Sequence, residues 1–273
     1  MTEAPDRGKG AEPGAGQPEA GPGVGHPQLA PGGWRLLLWD VDGTLVHAGP
    51  VARAAFDLAV ARALGRDPWE HGVVMSGKTD PQIAREILAA LALSGEEVAR
   101  HLPGVLAGLE GALAGAVEEI RRRGRVLPGV EALLPRLHAT PGVVQTVLTG
   151  NLASNALVKL RAFGLDRWLD LEVGAYGSDH HDRRALVPLA VERASARSGH
   201  RFRPEEVWVI GDTPRDLACA RAARVRCLLV ATGRHYGYEE LRDSGADAVL
   251  PDLSDVEAVV RLLLGPAPAA ETI

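Results

Sequence analysis

Short, continuous runs of apolar residues recur along this chain and alternate with stretches of helical periodicity. The apolar runs cover residues 35–39, 143–148, 171–175, 207–210, 227–230 and 248–250. A strand whose side chains are all apolar is covered on both faces, which is typical of parallel sheets flanked by helices. The helical stretches between the runs cover residues 130–138, 153–163, 186–198, 216–223 and 238–244. This alternation predicts an α/β fold with a doubly wound, Rossmann-like parallel sheet.

Residues 48–125 interrupt that alternation. They show an Ala- and Leu-rich helical pattern without a convincing strand, and the pattern breaks near residues 65–68, 72–77, 94–95 and 103–104. An insertion after the first strand lies beside the carboxyl ends of the strands, where open α/β sheets bind ligands. We therefore predict an α/β core of residues 34–48 and 126–265, and a helical cap of residues 49–125 that is placed to act as a lid.

The first 33 residues differ in composition from the rest of the chain. Gly, Pro, Ala and Glu dominate them, and large apolar side chains are almost absent. Such a segment buries too little apolar surface to offset the entropy lost on ordering. We expect residues 1–33 to form a disordered tail.

Composition narrows the classes of protein to which the chain can belong. The formal net charge of -5 gives no electrostatic reason to expect a nucleic acid or an anionic membrane as a partner. Cys219 and Cys227 form neither a disulfide framework nor a metal-ligand spacing. The chain also lacks an apolar run long enough for a membrane span and the pattern of a signal peptide. We expect a soluble, cytoplasmic protein, and the sequence does not distinguish a monomer from a homodimer.

Two carboxylates, Asp40 and Asp42, follow the first apolar run in the segment DVDGT. They fall where a buried strand gives way to a turn that contains Gly43. This change of path can bring both side chains, or one side chain and a backbone carbonyl, to the open end of the sheet. A hard cation and an attacking carboxylate are two uses of such a pair. Taken alone, the pair is more typical of a solvated turn than of a site.

Polar residues also follow two other predicted strands. Thr149, Gly150 and Asn151 end the second run, where a hydroxyl group and backbone N–H groups at a helix start can hold a phosphate. Asp212 and Asp216 end the fourth run. Helix capping would explain Thr149 and Asn151, and the helix dipole would explain Asp216. However, the carboxyl ends of parallel strands meet at one crevice, so three polar clusters there predict a single functional site.

These three segments resemble the motifs of the haloacid dehalogenase superfamily of phosphatases and phosphotransferases. Residues 40–45 match its nucleophile motif, residues 148–151 its phosphate-binding motif and residues 211–216 its acidic metal-binding motif. The resemblance covers residues 36–253. The position of the helical insertion is similar to that in the phosphoglycolate phosphatase-like branch.

The resemblance implies a role for each motif residue. Asp40 would be the nucleophile that forms an aspartyl-phosphate, and Asp42 would be the general acid and base. A Mg²⁺ cofactor would be held by Asp40, the backbone carbonyl of Asp42 and Asp212, with Asp216 supporting it directly or through water. Phosphate binding would fall to Thr149, Gly150 and Asn151. The implied function is a Mg²⁺-dependent phosphatase for a small phosphorylated metabolite, similar to phosphoglycolate or a sugar phosphate.

The chain departs from the family pattern at one position. The family normally has a lysine before the helix that follows the third strand, but this chain has no lysine after Lys159, which lies well inside an earlier helix. Residues 177–184, where the lysine is expected, contain Arg183 and Arg184. We predict that Arg183 replaces the lysine, because a guanidinium group can bind phosphate through two parallel hydrogen bonds. The alternatives are Arg184, or a site that has lost this cation.

In the predicted cap, Lys78 and Thr79 lie in a break between helices that is flanked by Gly. We expect this loop to contact the substrate, although Thr79 or Asp80 could instead cap the following helix. Two alternatives to a phosphatase remain at this point. One is a sugar-phosphate mutase, which would use the same Asp40 and Asp42, and the other is a non-catalytic module that binds a phosphorylated ligand.

Overall fold

The computed structural model describes residues 1, 33–66 and 71–265. The predicted tail lies outside the described residues except for its first and last residue. The strands are β1 (Arg35–Trp39), β2 (Val46–His47), β3 (Arg125–Val126), β4 (Val143–Val147), β5 (Val207–Gly211), β6 (Arg226–Val230) and β7 (Ala248–Leu250). The helices are α1 (Val51–Leu64), α2 (Asp80–Ala90), α3 (Gly95–Ala114), α4 (Val117–Arg123), α5 (Val130–His138), α6 (Ala153–Ala162), α7 (Leu186–Ser198), α8 (Pro214–Ala223), α9 (Tyr238–Arg242) and α10 (Val256–Leu264).

Five of these strands form one parallel sheet in the order β4-β1-β5-β6-β7. The interior strand β1 is fully buried, and its residues alternate between the two faces of the sheet. Leu37 and Trp39 pack in a core with α5, α6 and α10, whereas Leu36 and Leu38 pack on the other face with α7, α8 and α9. Helices therefore cover both faces, which confirms the predicted doubly wound α/β fold.

The predicted strand at residues 171–175 is wrong. Leu171–Val173 form a 3-10 turn instead, and the segment pairs with the sheet through an isolated bridge between Leu148 and Ala175. The side chain of Asp170 accepts a hydrogen bond from the backbone N–H of Glu172, which caps the turn. Because this cap closes the backbone locally, an apolar run of strand length forms a turn.

Helices α1 to α4 pack around a hydrophobic cluster that includes Phe56, Ile87, Leu109 and Ile120, and Ala162 of α6 also belongs to it. A two-stranded antiparallel ribbon, which the sequence does not predict, joins this helical region to the sheet by pairing β2 with β3. The separate cluster supports the predicted division into a core and a cap, which stays a prediction.

The predicted break at residues 103–104 does not end a helix. Helix α3 continues through Pro103, and it buries Leu102, Val105 and Leu109 in the cap cluster. A proline inside a helix removes one backbone hydrogen bond, and we infer that packing of the apolar face offsets this cost. No helix within residues 33–66 and 71–265 has both the length and the apolar character needed to cross a membrane.

Candidate active site

The site lies where three neighbouring strands end. The backbone N–H of Asp40 donates to the carbonyl of Ile210 (2.8 Å), and the N–H of Leu148 donates to the carbonyl of Trp39 (2.8 Å). The ends of β1, β4 and β5 are therefore held side by side. As a result, the carboxylates of Asp40, Asp212 and Asp216 lie within 4.8 Å of one another, and all three residues are buried.

Gly43 makes room for one of these carboxylates. Its φ of +89° is a backbone conformation that favours glycine. A Cβ atom added there would lie 2.3 Å from Oδ2 of Asp212, and one added at Gly233 would lie 1.9 Å from the same oxygen. Thr232 fixes the turn further, because its hydroxyl donates to the carbonyl of Gly43 (2.6 Å). The turn after β1 is therefore shaped around Asp212.

Two carboxyl groups of the acidic cluster have raised pKa values. Burial raises the pKa of Asp40 to about 6, against the opposing effect of Arg183 and with the carboxylates of Asp216 and Asp42 adding to the rise. Burial also raises the pKa of Asp212, and the neighbouring Asp40 raises it further. Within the part of the chain that the structure describes, Oδ1 of Asp212 is buried without a hydrogen-bond partner. Buried carboxylate oxygens that lack hydrogen-bond partners are suited to bind a hard cation such as Mg²⁺.

Arg183 lies in this cluster, as the sequence predicts. Its Nη2 atom is 3.0 Å from Oδ1 of Asp40, and it donates to Oδ1 of Asp216 (2.5 Å). Arg184 lies outside the cluster, because its side chain is 65% exposed and pairs with Asp182. Asp182 also accepts a hydrogen bond from the N–H of Arg184, which caps a 3-10 turn that starts at Arg183. Of the two arginines, Arg183 is the one placed to act on a phosphate beside Asp40.

Asp216 has two structural partners in addition to its place in the cluster. Helix α8 begins at Pro214, two residues earlier than predicted, so that Asp216 lies in its first turn. Oδ2 of Asp216 accepts hydrogen bonds from the N–H (3.0 Å) and the hydroxyl (2.7 Å) of Thr213. Oδ1 accepts the bond from Arg183. Asp216 therefore caps α8 and orients Arg183 at the same time.

The phosphate-binding candidates follow β4 in a compact loop. Thr149 is fully buried, and its hydroxyl accepts a hydrogen bond from Nδ2 of Asn151 (2.7 Å). The same amide group donates to Oδ2 of Asp42 (2.9 Å), which joins this loop to the turn after β1. At Gly150, an added Cβ would lie 2.1 Å from the carbonyl oxygen of Lys78. Glycine is thus required there because the cap loop approaches the backbone closely.

With this geometry, comparison with known proteins assigns the family. The family model of the haloacid dehalogenase-like hydrolases matches residues 37–221, which contain the carboxylates, Arg183 and the phosphate-binding candidates described above. The chain belongs to this family. A phosphoglycolate phosphatase of Cereibacter sphaeroides is 28% identical over 224 residues, which are 81% of this chain and 96% of the relative. The match and this relative confirm the predicted enzyme class, a phosphoric monoester hydrolase.

Solved structures show the same fold as this hydrolase. A predicted phosphatase from Clostridium acetobutylicum superposes with a TM-score of 0.64 at 17% identity, and it covers 84% of this chain and 99% of its own. A predicted phosphoglycolate phosphatase from Haemophilus somnus superposes with a TM-score of 0.61 at 20% identity, with coverages of 83% and 98%. At such identities, the likeness concerns the fold.

One residue of the hydrolase's site is missed by the sequence analysis. Lys159 is 3% exposed, and its Nζ atom lies 2.5 Å from Oδ2 of Asp42 and 2.6 Å from Oδ1 of Asn151. In the sequence analysis, Lys159 is placed well inside a helix and is given no role in the site. Helical side chains tilt toward the N-terminus of the helix, so a long one reaches back to the loop before it. One sequence signal was available: Asn155, a polar residue one turn before Lys159, lies on the same buried face of α6.

The cap loop is held by contacts within the protein. Thr79 caps α2 by accepting a hydrogen bond from the N–H of Gln82 (3.2 Å), and its hydroxyl donates to the carbonyl of His181 (2.8 Å). Lys78 forms an ion pair with Glu86. The capping alternative for Thr79 is therefore confirmed, whereas substrate contact by Lys78 and Thr79 stays a prediction.

Asp80, the next residue of the loop, binds the cap to the core. Its backbone N–H donates to the carbonyl of Gly150 (2.7 Å). Its Oδ2 atom accepts hydrogen bonds from the N–H of Leu152 (2.8 Å) and from Nδ2 of Asn155 (2.9 Å). Burial raises the pKa of this carboxyl group, and nearby Lys159 opposes the rise. The phosphate-binding loop and the cap therefore dock through buried polar contacts.

Proposed function

We propose that this hydrolase is a Mg²⁺-dependent phosphatase that acts on a small phosphorylated metabolite through an aspartyl-phosphate on Asp40. The observation that carries the proposal is the position of Asp40, at the end of β1 within 4.8 Å of two other buried carboxylates and 3.0 Å from Arg183. A carboxylate nucleophile needs neighbouring positive charge before it can approach an anionic phosphate. Arg183 supplies one such charge, and the acidic cluster is suited to bind another.

In the first step, a carboxylate oxygen of Asp40 attacks phosphorus, and the bond between phosphorus and the leaving-group oxygen breaks. Asp42 protonates that oxygen as a general acid. In the second step, Asp42 removes a proton from the water that attacks the aspartyl-phosphate, which releases inorganic phosphate and restores Asp40. The side chain of Asp42 is 42% exposed, so that substrate and water can reach it.

The residues that would hold Mg²⁺ are Asp40, Asp212 and the backbone carbonyl of Asp42, with Asp216 supporting the ion directly or through water. When bound, Mg²⁺ would shield the nucleophile from the charge of the phosphate. The partnerless oxygen of Asp212 and the raised pKa values of Asp40 and Asp212 support this assignment.

Arg183 and the loop after β4 would bind the phosphate group. Arg183 approaches from the segment before α7, and the predicted partners from the loop after β4 are Thr149, Gly150 and Asn151. A guanidinium group and N–H or hydroxyl donors suit the oxygens of a phosphate. The relatives are named phosphoglycolate phosphatases, which supports a phosphoglycolate-like substrate, and a sugar-phosphate-like substrate stays a prediction.

The exposure of Asp42 favours hydrolysis over the mutase alternative. A mutase must keep water away from its phospho-enzyme, whereas this general base is open to solvent on part of its surface. The presence of Asp40, Asp42 and Asp212 in one site also argues against a module that binds without catalysis.

The test is phosphate release from p-nitrophenyl phosphate with Mg²⁺, with a chelator as the metal control. We expect release that stops in Asp40→Asn and in the presence of the chelator. A panel of phosphorylated metabolites, assayed in the same way, would identify the substrate. Hydrolysis that persists unchanged in Asp40→Asn would refute the aspartyl-phosphate route.

A further inference from the structure

A buried cation at the site, Lys159, has no role in the mechanism above. Lys159 approaches the site from α6, on the side of Asp42, and does not take part in binding Asp40 or Asp216. We propose that Lys159 is a positioning residue that holds the carboxylate of Asp42 in the orientation needed for proton transfer. This inference rests on the role of Asp42 in the proposed function.

The contacts of Asp42 show why it needs such a partner. Its side chain is 42% exposed, so packing alone does not fix its rotamer. Both of its hydrogen bonds among the described residues are made by Oδ2, one from Nζ of Lys159 (2.5 Å) and one from Nδ2 of Asn151 (2.9 Å). These two donors anchor one oxygen and leave Oδ1 to exchange a proton with the leaving group or with water.

Lys159 also determines the orientation of Asn151. An ammonium group only donates hydrogen bonds, so the atom of Asn151 that faces it must be the amide oxygen. The amide nitrogen then points toward Asp42 and Thr149, to which it donates at 2.9 Å and 2.7 Å. One buried ammonium group therefore orders the general acid and the loop after β4 together.

Lys159 is distinct from the cation beside the nucleophile. Arg183 contacts Asp40 and Asp216, whereas the ammonium group of Lys159 contacts Asp42 and Asn151. Arg183 lies before α7 and contacts Asp40, whereas Lys159 lies in α6 and contacts Asp42. Removal of Lys159 should thus impair proton transfer while the environment of Asp40 is retained.

The experiment compares two substrates whose leaving groups differ in their need for a proton. p-Nitrophenolate leaves readily without protonation, whereas the alkoxide of ethyl phosphate needs a general acid. In Lys159→Met, we expect kcat/KM for ethyl phosphate to fall about 100-fold and that for p-nitrophenyl phosphate to fall less than about 10-fold, since general acid catalysis contributes about 10²–10⁴-fold. The control is Arg161→Met on the exposed face of α6, for which both values should stay unchanged.

A double-mutant cycle with Asp42→Asn separates positioning from a general structural effect. If Lys159 acts through Asp42, then Lys159→Met should cause little further loss in the Asp42→Asn background. Equal losses on both substrates, or additive losses in the cycle, would overturn the proposal. Circular dichroism monitors folding, and Lys159→Gln provides the same comparison if Lys159→Met does not fold. Absence of wild-type phosphatase activity would instead refute the proposed function itself.

Discussion

The loops at the strand ends and the cap loop of residues 76–80 both place buried polar groups at this site, but they differ in how those groups are satisfied. At the strand ends, burial raises the pKa of Asp40 and Asp212, and one oxygen of Asp212 has no partner among the described residues. In the cap loop, Thr79 and Asp80 have hydrogen-bond partners within the protein. The difference indicates that the sheet supplies groups for a ligand, whereas the cap loop uses its polar groups to dock.

Asp212→Asn should have the largest effect if the sheet binds the metal. We expect kcat with Mg²⁺ to fall about 10³-fold, because a cation in such a site stabilises charge by several kcal/mol. The melting temperature without Mg²⁺ should stay the same or rise, since the substitution removes a carboxylate whose pKa is raised by burial and by Asp40. Steady-state kinetics over a Mg²⁺ titration and a thermal melt provide these measurements. Near-normal turnover would show that Asp212 does not bind the metal.

The next largest effect is expected for Arg183→Ala, and Arg184→Ala is its matched control. The first should lower kcat about 100-fold, because Arg183 is buried against Asp40, and it should also lower stability, because Asp216 would be left as an uncompensated buried charge. The second should change little, because its ion pair with Asp182 is largely exposed. Kinetics and thermal melts of both variants distinguish these outcomes. Near-normal turnover in both would show that the site lacks the predicted cation.

Substitutions of Asp80 test whether the cap loop docks on the core through this residue. Asp80→Ala leaves the N–H of Leu152 without its acceptor, and an unsatisfied buried donor costs about 1–3 kcal/mol of folding free energy. Asp80→Asn is the matched control, since its amide oxygen can accept the same bonds while a buried charge is removed. Chemical denaturation should show a loss in the first variant and near wild-type stability in the second at neutral pH. Equal stability of all three proteins would argue against docking through Asp80.

Most of the site could be predicted from sequence because the topology of a parallel sheet fixes where strand ends meet. Asp40 and Asp212 come together for this reason. Arg183 does not follow a strand, and its prediction depends on the family pattern. Lys159 could not be predicted in the same way, because its contact with Asp42 depends on the path of a long side chain back along α6. The turn at Leu171–Val173 was missed because a side-chain cap, rather than apolar character, decides its conformation.

Lys78→Ala should have the smallest effect. The ammonium group of Lys78 already pairs with Glu86 on α2, so its use by a substrate would require this pair to break. We expect kcat/KM for the best substrate of the metabolite panel to change less than about threefold, since a partly exposed ion pair contributes about 1 kcal/mol or less. Glu86→Ala is the matched control, because it frees the same lysine without removing it. A large loss in Lys78→Ala combined with full activity in Glu86→Ala would show that the lysine contacts the substrate. In that case the cap loop, like the strand ends, would supply a group for a ligand.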